Sequence, residues 1–200
     1  MVKAITIIGT HGVGKTTLAY QICSYLKEQL FNVKLIHETA RSCPFPLNED
    51  ATEESELFIL HSHFLEELKA VAEGYEVYVS DRSPIDPYVY FKKPAVHFYE
   101  LERAALKWME KYDLILLVEP NLAKDTFIVD SHRAPSIEFR NFIKDQFRLY
   151  VKKLSPIAQK KLVVINSDDI FEDFELTTAL ENVANILQLE KRQIEEPAKV

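Results

Sequence analysis

Glycine is scarce in this chain. There are four in 200 residues, against a usual share of roughly 7%. Low-complexity and glycine-rich architectures are thereby excluded. Cysteine is scarcer still, and Cys23 and Cys43 make neither a close pair nor a metal-ligand spacing. A disulfide framework is excluded and free thiols in a reducing compartment are expected. No apolar run approaches the ~18 residues of a membrane span. The N-terminus enters a strand-like run without the layout of a signal peptide. Basic charge is in deficit, with 24 Lys and Arg against 31 Asp and Glu and a net charge of −7, which argues against a general nucleic-acid partner. These absences describe a soluble cytoplasmic protein, one domain over residues 1–189 with a polar tail over 190–200, and they leave the oligomeric state open.

Three of the four glycines fall within eight residues, Gly9-Thr10-His11-Gly12-Val13-Gly14-Lys15-Thr16. The stretch fits G-x-x-x-x-G-K-[ST], a loop whose main-chain N–H groups converge on phosphate oxygens. Its surroundings fit as well. Ala4-Ile5-Thr6-Ile7-Ile8 reads as a buried strand, and Leu18, Ile22, Tyr25, Leu26 and Leu30 recur at helical spacing behind it. Strand, loop and helix place a helix N-terminus, with its positive dipole end, on the anion. The expected nucleotide contacts are Gly9, His11, Gly12, Val13, Gly14, Lys15, Thr16 and Thr17. Lys15 is expected on the β- and γ-phosphates and Thr16 on Mg²⁺, with ATP as the nucleotide.

The rest of the chain alternates strands and helices. Strands are expected at 32–38, 76–80, 114–118 and 162–165, and helices at 52–72, 98–111, 135–154 and 174–189. In the helix over 52–72, Leu57, Leu60, Phe64, Leu68 and Val71 form the expected inward stripe, and Gly74 ends it. Five apolar strands separated by helices predict an α/β fold of three layers, a parallel sheet covered on both faces. Ligands of such sheets bind beyond the carboxyl ends of the strands. That edge collects the phosphate loop, Glu38, Asp81-Arg82, Glu119 and 166–169.

Two strand-end carboxylates suit phosphoryl transfer. Asp81 is assigned to the metal and acceptor side, and Glu38 to holding or deprotonating the acceptor, with the two roles exchangeable. Arg82 is placed to bind an acceptor phosphate or the transferring group. Arg133 and Arg140 flank the start of the helix over 135–154, after a polar stretch from 121, and suggest a helical lid over about 121–140 that brings positive charge to the reaction. Lys124, Lys144 and Arg148 add to it, and Asp130 is a candidate partner for Arg133. The histidines offer no metal site: His61 and His63, two apart on a helix, point to different faces, and His97 and His132 are isolated.

The loop at Gly9–Thr16, the triplet Asp81-Arg82-Ser83 and the arginine-bearing segment resemble the nucleoside and nucleotide kinases of the P-loop superfamily. Thymidylate and deoxynucleoside kinases carry a similar acidic-Arg pair. The stretches Tyr112-Asp113-Leu114 to Val118-Glu119-Pro120 and Asp130-Ser131-His132-Arg133 resemble the branch containing the ribosylnicotinamide kinase domain of bacterial NAD-biosynthesis regulators. The resemblance implies the P-loop NTPase fold, strand order 2-3-1-4-5, and a phosphotransferase acting on a small nucleoside- or nucleotide-like acceptor. Two alternatives stand beside it. A regulatory ATPase switch would use the same loop, although D-x-x-G and N-K-x-D elements are absent and Asp81 is followed by Arg82 rather than a second carboxylate. A polynucleotide 5′-hydroxyl kinase is supported only by the basic segment.

Overall fold

The computed structural model describes residues 2–90, 99–120 and 137–170, together with 180, 183–185 and 187. Residues 121–136 of the lid expected over about 121–140, with Lys124, Asp130, His132 and Arg133, as well as His97, much of the helix expected over 174–189 and the tail over 190–200, lie outside the described residues.

Five strands, β1 (Lys3–Ile8), β2 (Val33–Ile36), β3 (Val77–Asp81), β4 (Leu114–Glu119) and β5 (Leu162–Asn166), form one sheet in the order 2-3-1-4-5. Every pairing is parallel, and the register sets Ile7 opposite Asp81, Ile36 opposite Ser80 and Glu119 opposite Asn166. The described helices are α1 (Lys15–Glu28), α2 (Glu53–Ala72), α3 (Asp86–Tyr90), α4 (Tyr99–Trp108), α5 (Ile137–Lys153) and α6 (Pro156–Gln159). None is long and apolar enough to cross a membrane.

Alternation along the strands builds the two cores. Ile5, Ile7, Val77, Val79, Leu114 and Leu116 face α1, where Leu18, Ala19, Ile22, Cys23 and Leu26 meet them together with Leu180, Val183 and Leu187. Ala4, Ile8, Tyr78, Ile115 and Leu117 face the other way, onto Leu60, Val89, Ala105, Met109, Phe139, Ile143 and Phe147 from α2 to α5. The sheet is therefore covered on both sides, as the run of apolar strands requires.

One helix is turned differently from its expected stripe. Leu68 and Val71 of α2 are 52% and 50% exposed, and the buried face is instead Ser55, Glu56, Leu60, His63, Glu67 and Ala70. The cause is a polar cluster beneath the helix. Glu67 Oε2 accepts hydrogen bonds from Trp108 Nε1 (2.6 Å) and Tyr78 Oη (3.2 Å), while Oε1 meets Tyr112 Oη and His63 Nε2. These contacts outweigh the burial of two aliphatic side chains that retain water on the outer face. The ends of α2 are well marked. Thr52 and Ser55 form a reciprocal cap at its start. Gly74, at φ +77°, closes it: its N–H bonds to Val71 O and that of Tyr75 to Ala70 O.

Candidate active site

The phosphate loop leaves β1 against β4. A Cβ on Gly9 would stand 2.4 Å from Val118 O, and φ is +140°, so no larger residue fits where the loop crosses the sheet edge. The loop enters α1 through Gly14. This helix has no side-chain cap and no acidic residue in its first turn. Its first N–H groups and the positive end of its dipole are accordingly left for an anion. Lys15 is only 4% exposed and donates to Thr10 O at 2.5 Å. Burial, and then the Arg82 charge, pull its ammonium down to about 7.

Thr16 and Asp81 meet across the strands. Thr16 Oγ1 donates to Asp81 Oδ2 at 2.6 Å. Asp81 is 3% exposed, and its Oδ1 is buried without a hydrogen-bond partner among the described residues. A hydroxyl beside a carboxylate with an unused buried oxygen is a hard-oxygen donor set that fits Mg²⁺.

Arg82 follows in a conformation uncommon for a residue with a side chain, φ +113°. The sheet holds it there: its N–H bonds to Ile7 O, and its carbonyl accepts from Thr6 Oγ1 at 2.8 Å. Such a backbone persists only where its surroundings fix it. The side chain is equally fixed. Nε and Nη2 donate to Glu38 Oε1 at 3.0 and 2.7 Å, and Nη1 to Gly9 O, Tyr90 Oη and Asp86 Oδ1. Burial alone would raise the Glu38 carboxyl, but Arg82, Lys15 and Arg41 outweigh it and hold it down at about 2. Arg41 Nε adds a bond to Glu38 Oε2 at 3.2 Å.

Beyond this pair lies a cavity of about 220 Å³, below the roughly 300–1,000 Å³ of drug-sized pockets and suited to a small ligand. Its lining runs from the loop (Gly12 to Thr16) past Glu38 and Arg82 to Glu56, Asp86 and Tyr90. Asp86 accepts from Ser83 N–H and Oγ at 2.9 and 2.7 Å, so the Ser83-x-x-Asp86 spacing caps the start of α3. Burial raises the Asp86 carboxyl. Burial, and then the neighbouring Asp86, push Glu56 up to about 8.

The structure thus gathers Lys15, Thr16, Glu38, Asp81 and Arg82 at one edge, with Gly9, Gly12, Val13 and Gly14 forming the loop. His11 belongs to the loop, but its ring is buried between Phe139 (6.0 Å) and Tyr90 (6.3 Å). Thr17 lies exposed in the first turn of α1, outside the cavity lining. Arg140 is buried in α5, and its carbonyl accepts from Thr10 Oγ1, which ties that helix to the loop. Arg148 forks onto Glu119 at 2.8 and 3.0 Å, so both are engaged in an ion pair at the end of β4. Residues 167–170 form a single turn after β5 and do not line the cavity. His61 is exposed and His63 buried, on different faces as their spacing requires.

Sequence reasoning missed Arg41, Glu56, His63, Asp86 and Tyr90 as cavity residues. A signal existed for Asp86 in the Ser-x-x-Asp spacing. None existed for Glu56, which reads as one more acid in a helical first turn.

A family model described as an AAA domain matches residues 4–172. Among curated proteins, a probable thymidylate kinase of Thermoplasma volcanium is 32% identical over 123 residues, 59% of this chain and 62% of that protein. The match thus spans less than two thirds of that relative. Among solved structures, the NadR protein in complex with NR superposes with a TM-score of 0.73 at 19% identity, over 98% of this chain and 54% of that one. Thymidylate kinases of Ehrlichia chaffeensis and Candida albicans give TM-scores of 0.61 and 0.64 at 19% and 16% identity, each over 94% of this chain and over 99% and 92% of their own. At these identities the structural matches speak for the fold.

Proposed function

Because the chain belongs to the AAA domain family matched over residues 4–172, we propose that it is an ATP- and Mg²⁺-dependent phosphotransferase acting on a small nucleoside- or nucleotide-like acceptor. The observation that carries this reading is the Thr16–Asp81 hydrogen bond, with the unused Asp81 Oδ1 beside it. It stands at an uncapped helix N-terminus, beside a cavity that runs on from the loop and is lined in part by polar side chains.

When bound, Mg-ATP supplies the phosphoryl group and the metal's charge. Thr16 and Asp81 are the residues that would hold the metal. The N–H groups of Gly12 to Thr17 and the ammonium of Lys15 bind the phosphates, and His11, its ring packed away from them, contributes through its main chain. Arg82 lies between the loop and the cavity, where its guanidinium stabilises charge on the group in transit. Glu38, ionised over the whole working pH range, fixes Arg82 in place and accepts a hydrogen bond from the acceptor hydroxyl. Phosphoryl transfer asks mainly for positioning and charge stabilisation, so a carboxylate of such low proton affinity suits the orienting role better than that of a strong base. Arg140, buried beside the loop, completes the positive surroundings, and Arg133 is assigned to the same task from sequence alone.

The test is ADP formation from Mg-ATP by the purified chain against a panel of nucleosides, nucleoside monophosphates and ribosylnicotinamide, with Lys15→Ala as control. ADP formation that requires one class of acceptor and vanishes in the variant is expected. Hydrolysis indifferent to every acceptor would instead make the protein a nucleotide-driven switch.

A further inference from the structure

The cavity wall carries charges of both signs, and Lys15, Arg41 and Arg82 are its cations. Three carboxyl groups line it, Glu38, Glu56 and Asp86. Arg82 is already matched there by Glu38 and Asp86, and Arg41 bonds to Glu38. Glu56 is the outlier. It is 7% exposed and lines the cavity, yet its Oε2 is buried with no hydrogen-bond partner among the described residues. Most buried polar atoms in folded proteins have partners, and each exception calls for a reason. The lining also includes the apolar and aromatic side chains of Leu47, Ile59, Pro87 and Tyr90, and the charged neighbour that acts on Glu56 is Asp86.

We propose that the phosphate acceptor is a small hydroxyl compound of nucleoside type that carries no phosphate of its own and presents a cationic or N–H-bearing group to Glu56. The inference rests on the phosphotransferase reading of the same site and adds the acceptor's charge class. A phosphate monoester in this part of the cavity would meet the ionised Glu38, and the nearest guanidinium, Arg82, is already committed to Glu38 and Asp86. Like charges brought together away from water repel strongly. A cation, or a planar base edge with N–H donors, gives the unsatisfied Glu56 oxygen a partner. Tyr90 offers an aromatic face and Glu38 a carboxylate for the hydroxyl, so the ends of such a molecule are distinguished.

The experiment compares each nucleoside, and ribosylnicotinamide, with its own 5′-monophosphate as acceptor for Mg-ATP, using the full chain. Unphosphorylated acceptors are expected to win in kcat/KM by about tenfold or more, the factor that one strong polar contact gains or loses. In Glu56→Leu the KM for the preferred acceptor is expected to rise by about tenfold. Its kcat and the KM for ATP should stay within about threefold, with Glu56→Gln intermediate. Melting temperatures are measured alongside, and if the leucine variant does not fold, the glutamine variant decides. A preference for monophosphates overturns the inference and leaves the phosphotransferase reading standing. Folded Glu56 variants with an unchanged acceptor KM overturn the assignment of Glu56. No acceptor-dependent ADP from either half of the panel overturns both readings together.

Discussion

Glu67 and Glu56 share one face of α2, and both are almost wholly buried, 1% and 7% exposed. Their surroundings differ in kind. Glu67 is met by Trp108, Tyr78, Tyr112 and His63. Burial would raise its carboxyl, but the His63, Tyr112 and Trp108 hydrogen bonds reverse that and lower it. Glu56 has an oxygen with no partner among the described residues, and burial, then the neighbouring Asp86, drives its carboxyl up to about 8. A buried carboxylate enclosed by donors from several elements is part of what holds the fold together. One left short of donors and facing a cavity destabilises the fold, and its presence is explained by what enters the cavity.

The largest effect expected from this contrast is at Glu67. Glu67→Leu leaves the Trp108, Tyr78 and Tyr112 donors without their acceptor, and breaking a buried ionic network costs about 3–5 kcal/mol. Urea unfolding should show a lower midpoint with an unchanged slope. A loss of stability, slope times midpoint shift, below about 1 kcal/mol would place Glu67 with Glu56 and end the distinction. Next comes Lys15→Ala. Removing a cation from the reacting phosphates should cost on the order of 10²–10³ in kcat, whereas the fold loses only a buried ammonium and its melting temperature should not fall. Near-normal turnover would refute the loop's role.

Arg82→Ala should act on kcat more than on the acceptor KM, by about ten- to a hundredfold, because the acceptor has no phosphate for this guanidinium to hold. The reverse pattern, a raised acceptor KM with kcat kept, would mean that Arg82 grips a phosphorylated acceptor. The smallest effect is a gain. Glu56→Gln should stabilise the protein by about 1 kcal/mol at neutral pH, since an orphaned buried carboxyl is replaced by an amide.

The same pair of variants has a pH signature. In the unfolded chain the Glu56 carboxyl loses its proton near 4.5, and in the folded protein near 8. Between those values the folded state holds a proton that the unfolded state has released, so this group makes stability fall as pH rises from about 5 to about 8. Glu56→Gln should flatten that slope. Glu38 behaves in the opposite sense. Burial opposes its ionisation, but Arg82, Lys15 and Arg41 hold it at about 2, so its contribution is complete above about 4.5 and disappears as pH falls toward 2. Thermal melts of wild type and Glu56→Gln across this range check both signs.

The sheet was legible in the sequence because each strand is a short apolar run between polar turns, and the loop was legible because the glycines concentrate there. Strand order came from the resemblance, and the observed 2-3-1-4-5 agrees with it. The wall of the cavity was not legible. Glu56, Asp86, Arg41 and Tyr90 come from separate segments that only the tertiary fold brings together. The orientation of α2 was misread for a physical reason: periodicity counts aliphatic residues, and here His63 and Glu67 are buried in preference to Leu68 and Val71 because donors from β3 and from the segment after α4 await them. Arg82 is legible as a site residue, but its pairing with Glu38 is not, since the two follow different strands with no spacing rule to join them.

The central claim is that the loop transfers phosphate to a small molecule. The most direct measurement follows the label of γ-³²P-ATP after incubation with the protein, Mg²⁺ and the acceptor panel, separating products by chromatography. The account predicts a new labelled compound, formed with one unphosphorylated acceptor class and lost in Lys15→Ala. Label recovered only as inorganic phosphate, at a rate the acceptors do not change, would contradict it.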